Sequence, residues 1–130
     1  MRGFVILGTI LTSLVAWLFW AAPAKADRYI SAVAVVEWQG TGCVVATGPS
    51  LGNPYLVGTP STTCTPGSYG SPRWARWDQG GYSGQFIGIN PIMGANNWIS
   101  CTLYVNGAVE VTDYAAAGDG TDVTCLRVVN

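Results

Sequence analysis

Four cysteines limit this chain more than any other feature. Cys43, Cys64, Cys101 and Cys125 all fall within residues 27–130, at intervals of 21, 37 and 24 residues, and the chain has no histidine. An even cysteine count in a small exported-type segment reads as two disulfides. A zinc centre needs closely spaced cysteines or histidine ligands, and neither is present. No metal and no cofactor are therefore expected. Three pairings are formally open. Cys43–Cys64 with Cys101–Cys125 is preferred, because each bond closes a loop of about 20–25 residues and contributes roughly 3 kcal/mol in the chain-entropy picture. A domain of this size has only a small core, so that contribution counts.

An oxidising compartment is also what the first 26 residues imply. Met1-Arg2 is followed by an uncharged run from Gly3 to Ala22, rich in Leu, Ile, Val, Phe and Trp. Pro23 interrupts it, and Ala24-Lys25-Ala26 has the small-x-small form of a signal-peptidase site. Residues 1–26 therefore read as a signal helix that is removed, leaving Asp27 first. The competing reading is an uncleaved anchor, since residues 3–22 are long enough to span a bilayer. Arg2 keeps the leading end inside the cell in either case. Residues 27–130 then form one domain, secreted or held on the outer side of the membrane, touching lipid only through 3–22 if the leader stays. That domain carries four arginines against seven carboxylates, a balance of −3 with no basic cluster. Nucleic acid is not an expected partner.

The domain reads as β throughout. Tyr29–Trp38 and Cys43–Thr47 are Val-rich runs closed by Gly-containing turns, and Tyr55–Val57 is a weaker candidate. Residues 58–82 carry Pro60, Pro66, Pro72 and several glycines, so they read as loop with at most short strands. Ser83–Ile89 is a further strand, stopped by Asn90-Pro91. Ile99 to Val105 alternates apolar and polar residues and leads through Asn106-Gly107 into Ala108–Thr112, a hairpin. A three-residue loop Val105-Asn106-Gly107 sets Leu103 opposite Val109 and Cys101 opposite Val111, keeping apolar residues on one face. A short small-residue stretch, Ala115–Ala117, and a last strand at about Asp122–Val129 complete the chain. Six or seven short strands imply a small immunoglobulin-like β-sandwich. The Trp and disulfide placement of true immunoglobulin domains is not evident.

The C-terminal half resembles the outer domain of the mycobacterial MmpS family. The residues that carry it are Pro72-Arg73-Trp74, Ile99 through Gly107, and Val123-Thr124-Cys125. The resemblance covers residues 72–130 and implies a small β-sandwich with a Cys101–Cys125 bond. MmpS proteins are membrane-anchored and act with lipid or siderophore exporters, so it also implies an accessory role in the actinobacterial cell envelope. Cys43 and Cys64 are an addition to the family pattern, and Ala24-Lys25-Ala26 a departure from its anchor.

Catalytic patterns are missing. Without histidine there is no Ser-His-Asp or Cys-His arrangement, and paired cysteines leave no thiol nucleophile. A phosphate-binding loop lacks its lysine, because Lys25 lies in the leader. Glu37, Asp78, Glu110 and Asp113 are the carboxylates a glycosidase would need, but Glu110 and Asp113 flank a hairpin, where acids are ordinarily solvated. The chain is not expected to be an enzyme. Binding is the expected chemistry. Tyr69, Arg73, Trp74, Arg76, Trp77 and Tyr82 crowd one Gly/Pro-rich stretch, and Trp, Tyr and Arg dominate interface hot spots. Trp77 and Tyr82 are the exposed candidates, whereas Trp74, like Trp38 and Trp98, is expected to fill the core. The partner expected is a protein or envelope component. An inhibitory or binding role after release is the alternative.

Overall fold

A computed structural model describes residues 28–67 and 70–130. The signal helix expected over residues 1–26 and the candidate Tyr69 lie outside the described residues. All nine elements found are β-strands: β1 (Ile30–Gln39), β2 (Cys43–Thr47), β3 (Ser61–Cys64), β4 (Arg73–Gly81), β5 (Phe86–Ile87), β6 (Asn90–Ile92), β7 (Trp98–Val105), β8 (Ala108–Ala116) and β9 (Arg127–Val128). They build an antiparallel sheet β4-β1-β7-β8, a smaller sheet β3-β2-β6 and the pair β5-β9. The result is a sandwich-like all-β domain.

The larger sheet follows directly from alternation. In β1, Ala32, Ala34, Val36 and Trp38 are buried while the residues between them point away from the core. β7 repeats this with Ile99, Cys101 and Leu103, and the register sets Val36 beside Cys101 and Trp38 beside Ile99. Ala32 and Ala34 let the second layer approach closely. Trp38 fills the far end, with its Nε1 donating to the Thr41 carbonyl at 3.0 Å. Val44 and Ala46 of β2, with Ile87, Ile89, Val123, Cys125 and Val129, close the core from the other side.

Both expected disulfides are present. Cys101–Cys125 is buried and ties β7 to the C-terminal segment that covers it. Cys43–Cys64 joins directly opposed residues of β2 and β3, with Cα atoms 4.0 Å apart, and Cys64 is exposed. Gly88 governs the approach of the C-terminal segment. Its φ is +98°, and a Cβ there would lie 1.9 Å from the Cys125 carbonyl oxygen. Only glycine fits that position.

Several sequence expectations need correction. Residues 58–82 are not mainly loop, because they hold β3 and the nine-residue β4. The prolines that suggested loop sit at 60, 66 and 72, just outside both strands. Tyr55–Val57 forms no strand; Val57 makes a single bridge to Pro49. Ser83–Ile89 and Asp122–Val129 shrink to the two-residue strands β5 and β9. Asn90-Pro91 does not stop a strand but begins β6, and proline is accommodated there because β6 lies at a sheet edge.

The β7–β8 hairpin also differs. Val105 pairs with Ala108, so the turn is the two-residue Asn106-Gly107, and both residues are left-handed, with φ of 49° and 83°. This turn matches the natural strand twist. The apolar register is recovered by an irregularity between Leu103 and Tyr104: Tyr104 faces Val109 and Leu103 faces Val111. Glu110 is the extra residue, and Cys101 faces Asp113 rather than Val111. One bulge satisfies a tight turn and a buried face that no uniform register could satisfy together.

Candidate functional site

β4 decides what the site is. Its residues alternate, so Arg73, Ala75, Trp77 and Gln79 turn toward the second layer while Trp74, Arg76 and Asp78 stand on the outer face of the sheet. The clustered candidates of the sequence are therefore split between two sides. Arg73 is buried, and its guanidinium donates to the Thr65 carbonyl and, at 2.9 Å, to the Gly67 carbonyl, which binds the 65–72 connection to the strand. Trp77 packs partly against the core. Tyr82 lies just past the strand, 44% exposed, with its ring edge-on to Tyr29 at 5.3 Å. Trp74 does not fill the core as expected: it is 64% exposed, because its place in the alternation points it outward. Trp38 is fully buried, and Trp98 half-buried.

The strand register assembles the outer face in rows. Trp74 of β4 lies beside Glu37 of β1, Ser100 of β7 and Tyr114 of β8. The next row runs Arg76, Val35, Thr102, Thr112, and the third runs Asp78, Val33, Tyr104, Val109. With neighbouring strands about 4.8 Å apart, Trp74 and Tyr114 stand roughly 14 Å from each other across the sheet. Tyr114 is 55% and Val109 61% exposed. Tyr114 stacks against Trp98 with centroids 6.2 Å apart, and the Trp98 Nε1 donates to Gln39 Oε1 at 2.8 Å. These bonds hold one corner of the face in a fixed shape.

Charge on the face is sparse. Arg76 Nη2 meets Asp78 Oδ1 at 2.8 Å along β4, and Nε also donates to it. The Asp78 hydrogen bond and charge raise the Arg76 pKa above its ordinary value. Glu37, also exposed, lies between Trp74 and Ser100 and has no ion-pair partner among the described residues. Aromatic rings, aliphatic side chains and a few polar groups on a rigid sheet make a contact surface of the kind that binds by burying rings and satisfying their polar edges.

A second feature lies on the opposite side of β4. An open groove of about 780 Å³ runs beside Trp77, Asp78, Gln79 and Gly80 and is bounded by the 48–59 segment, with Phe86 and Ile89 also lining it. The Gln79 amide is occupied, bonding both Gly88 N and Gly88 O.

Tyr104, Tyr114, Trp98 and Val109 were absent from the sequence-based candidates. The signal for Tyr104 was available, since it belongs to the polar set of β7. Tyr114 and Val109 needed the bulge, and Trp74 needed recognition of β4 as a strand. The chain matches no protein-family model, no curated protein and no solved structure.

Proposed function

We propose that this chain is a non-catalytic exported binding protein of the cell envelope, acting through the outer face of the sheet β4-β1-β7-β8. The supporting observation is the exposure of Trp74, Tyr114 and Val109 on a surface held by a fixed strand register and, behind β7, by the Cys101–Cys125 bond. Rings held in advance lose little conformational freedom on binding. The partner is a protein or another envelope component with apolar surface flanked by polar groups, and not nucleic acid, in keeping with the net negative domain. Two intramolecular disulfides accord with an oxidising compartment. The resemblance to MmpS proteins supports an accessory role beside a lipid or siderophore exporter, and an immunoglobulin-like strand arrangement belongs to the same reading. The Ala24-Lys25-Ala26 motif supports the alternative of a released binding or inhibitory protein.

Two measurements test this. The chain, exported through its own leader, is used to capture partners from envelope extract, alongside a Trp74→Ser, Tyr114→Ser variant. Loss of the captured partner by the variant supports the outer face, and equal recovery by both overturns it. Mass spectrometry of the exported chain then separates the two forms: a start at Asp27 favours release, and an intact leader favours an anchored accessory.

A further inference from the structure

We infer that the outer edge of β4 pairs with the same edge of a second copy of this chain, joining two four-stranded sheets into one eight-stranded sheet across a twofold axis at Trp77. This goes beyond the contact face proposed above and does not depend on it.

The two edges of the larger sheet are built differently. β8 carries a bulge at Glu110, with Glu110 and Asp113 on the strand, and bulges and like charges keep an edge from pairing. β4 is regular: its nine residues pair with β1 from Arg73 to Gly81 without interruption. Among the described residues, no backbone hydrogen bond reaches the outer edge of residues 74–80. An open groove of about 780 Å³ borders residues 77–80, with the 48–59 segment, Phe86 and Ile89 on its other walls. An edge this long and regular has N–H and C=O groups ready for another strand.

The sequence of β4 selects its own copy as that strand. In an antiparallel pair centred on Trp77, the midpoint of Arg73–Gly81, all nine residues are matched. Arg76 then faces Asp78 of the second copy, and Asp78 faces its Arg76. Both side chains are exposed on the outer face, 54% and 74%, and already oriented along the strand. Shifting the centre to Arg76 sets two arginines against each other, and shifting it to Asp78 sets two carboxylates together. A one-residue slip would place outer side chains opposite inner ones. Charge therefore disfavours the registers on either side, and the centre at Trp77 is the one that both pairs Arg76 with Asp78 and matches the full strand.

Neighbouring positions agree. Trp74 of one copy falls opposite Gly80 of the other. A Cβ on Gly80 would meet the Tyr29 hydroxyl, so glycine there lets Tyr29 lie over the strand, where the incoming indole finds an aromatic neighbour. On the inner side, small Ala75 falls opposite Gln79, next to the groove. A twofold contact of this kind is self-complementary, as an isologous interface must be.

Sedimentation velocity on the exported chain in mild detergent, over a concentration series, tests the pairing. Wild type is expected to dimerise. Arg76→Asp and Asp78→Arg should each weaken dimerisation at least about tenfold, since each faces like charges across the axis. An equimolar mixture of the two variants should form a heterodimer, and R76D/D78R in one chain should regain the homodimer. Unchanged far-ultraviolet circular dichroism shows that all variants fold. A wild type that stays monomeric, single variants that dimerise like wild type, or a mixture that fails to associate each overturns the inference. Because sedimentation reads assembly and partner capture reads the outer face, failure of one does not imply failure of the other.

Discussion

Removing the two disulfides separately should have unequal consequences, although their loops are almost the same length. The sequence separations are 21 and 24 residues, so loop-closure entropy assigns each bond about 3 kcal/mol. Their surroundings differ. Cys101 and Cys125 are 1% and 0% exposed, enclosed between the layers, whereas Cys64 is exposed at the edge of the smaller sheet. Cys101→Ala with Cys125→Ala also deletes two buried sulfurs, and truncation of that size in a core costs roughly 1–3 kcal/mol more. The expected losses are thus about 4–6 kcal/mol for this pair and about 3 kcal/mol for Cys43→Ala with Cys64→Ala. Domains of this size are commonly stable by ~5–15 kcal/mol. The exposed pair is therefore dispensable for folding, and the buried pair brings the domain close to its limit. Urea unfolding followed by tryptophan fluorescence measures both, with midpoints compared at a common slope. Equal losses, or a larger loss for Cys43–Cys64, would show that burial of the second bond contributes nothing and would refute the reasoning.

Three other perturbations have definite expected outcomes. Gly88→Ala places a methyl group against the Cys125 carbonyl at a left-handed φ, so a loss of about 3 kcal/mol or more is expected in the same urea assay; a loss under 1 kcal/mol would contradict the close approach. Asn106 combines φ of +49° with an Oδ1 that accepts from Ser31 N at 3.1 Å, so Asn106→Ala should cost roughly 1–2 kcal/mol and Asn106→Gly less; equal costs would exclude the backbone as the source. The Asp119 carboxylate is held below its ordinary 3.8 by hydrogen bonds from Ala116 N–H, Thr121 N–H and the Thr121 hydroxyl. A folded pKa below the unfolded one contributes stability above 3.8 that is lost as pH falls through the folded value. Asp119→Asn should flatten the acid limb of the stability curve, and carboxyl titration by NMR should give Asp119 a midpoint below 3.8, with a midpoint at or above it counting against the turn geometry.

The strands that the sequence reveals are those whose alternation is undisturbed. β1, β2 and β7 declare themselves by apolar residues every second position, and both disulfides follow from four cysteines and loop length. β4 is concealed because half its inward positions are Arg73 and Gln79, polar residues whose hydrogen-bond partners lie outside the strand, six to nine residues away. Arg73 is buried on the carbonyls of Thr65 and Gly67, and Gln79 replaces a strand partner for Gly88. Neither bond can be seen from neighbouring residues. The hairpin register failed for a related reason. Asn106-Gly107 asked for a two-residue turn and the apolar pattern asked for a different phase, and only the extra residue Glu110 reconciles them. The candidate site was legible in residue types and not in direction: a dense group of Trp, Tyr and Arg was visible, but their division between two faces depends on knowing that residues 73–81 are extended.

The position of β1 has a mechanical meaning. It begins at Ile30, near the N-terminal end of the described residues, and it is an inner strand bonded to β4 on one side and β7 on the other. In a tethered form, a pull entering along this strand would be shared by two antiparallel neighbours, over nine residue pairs with β4 and eight with β7, ladders of about 25–30 Å. Such a load shears many hydrogen bonds together instead of peeling them singly.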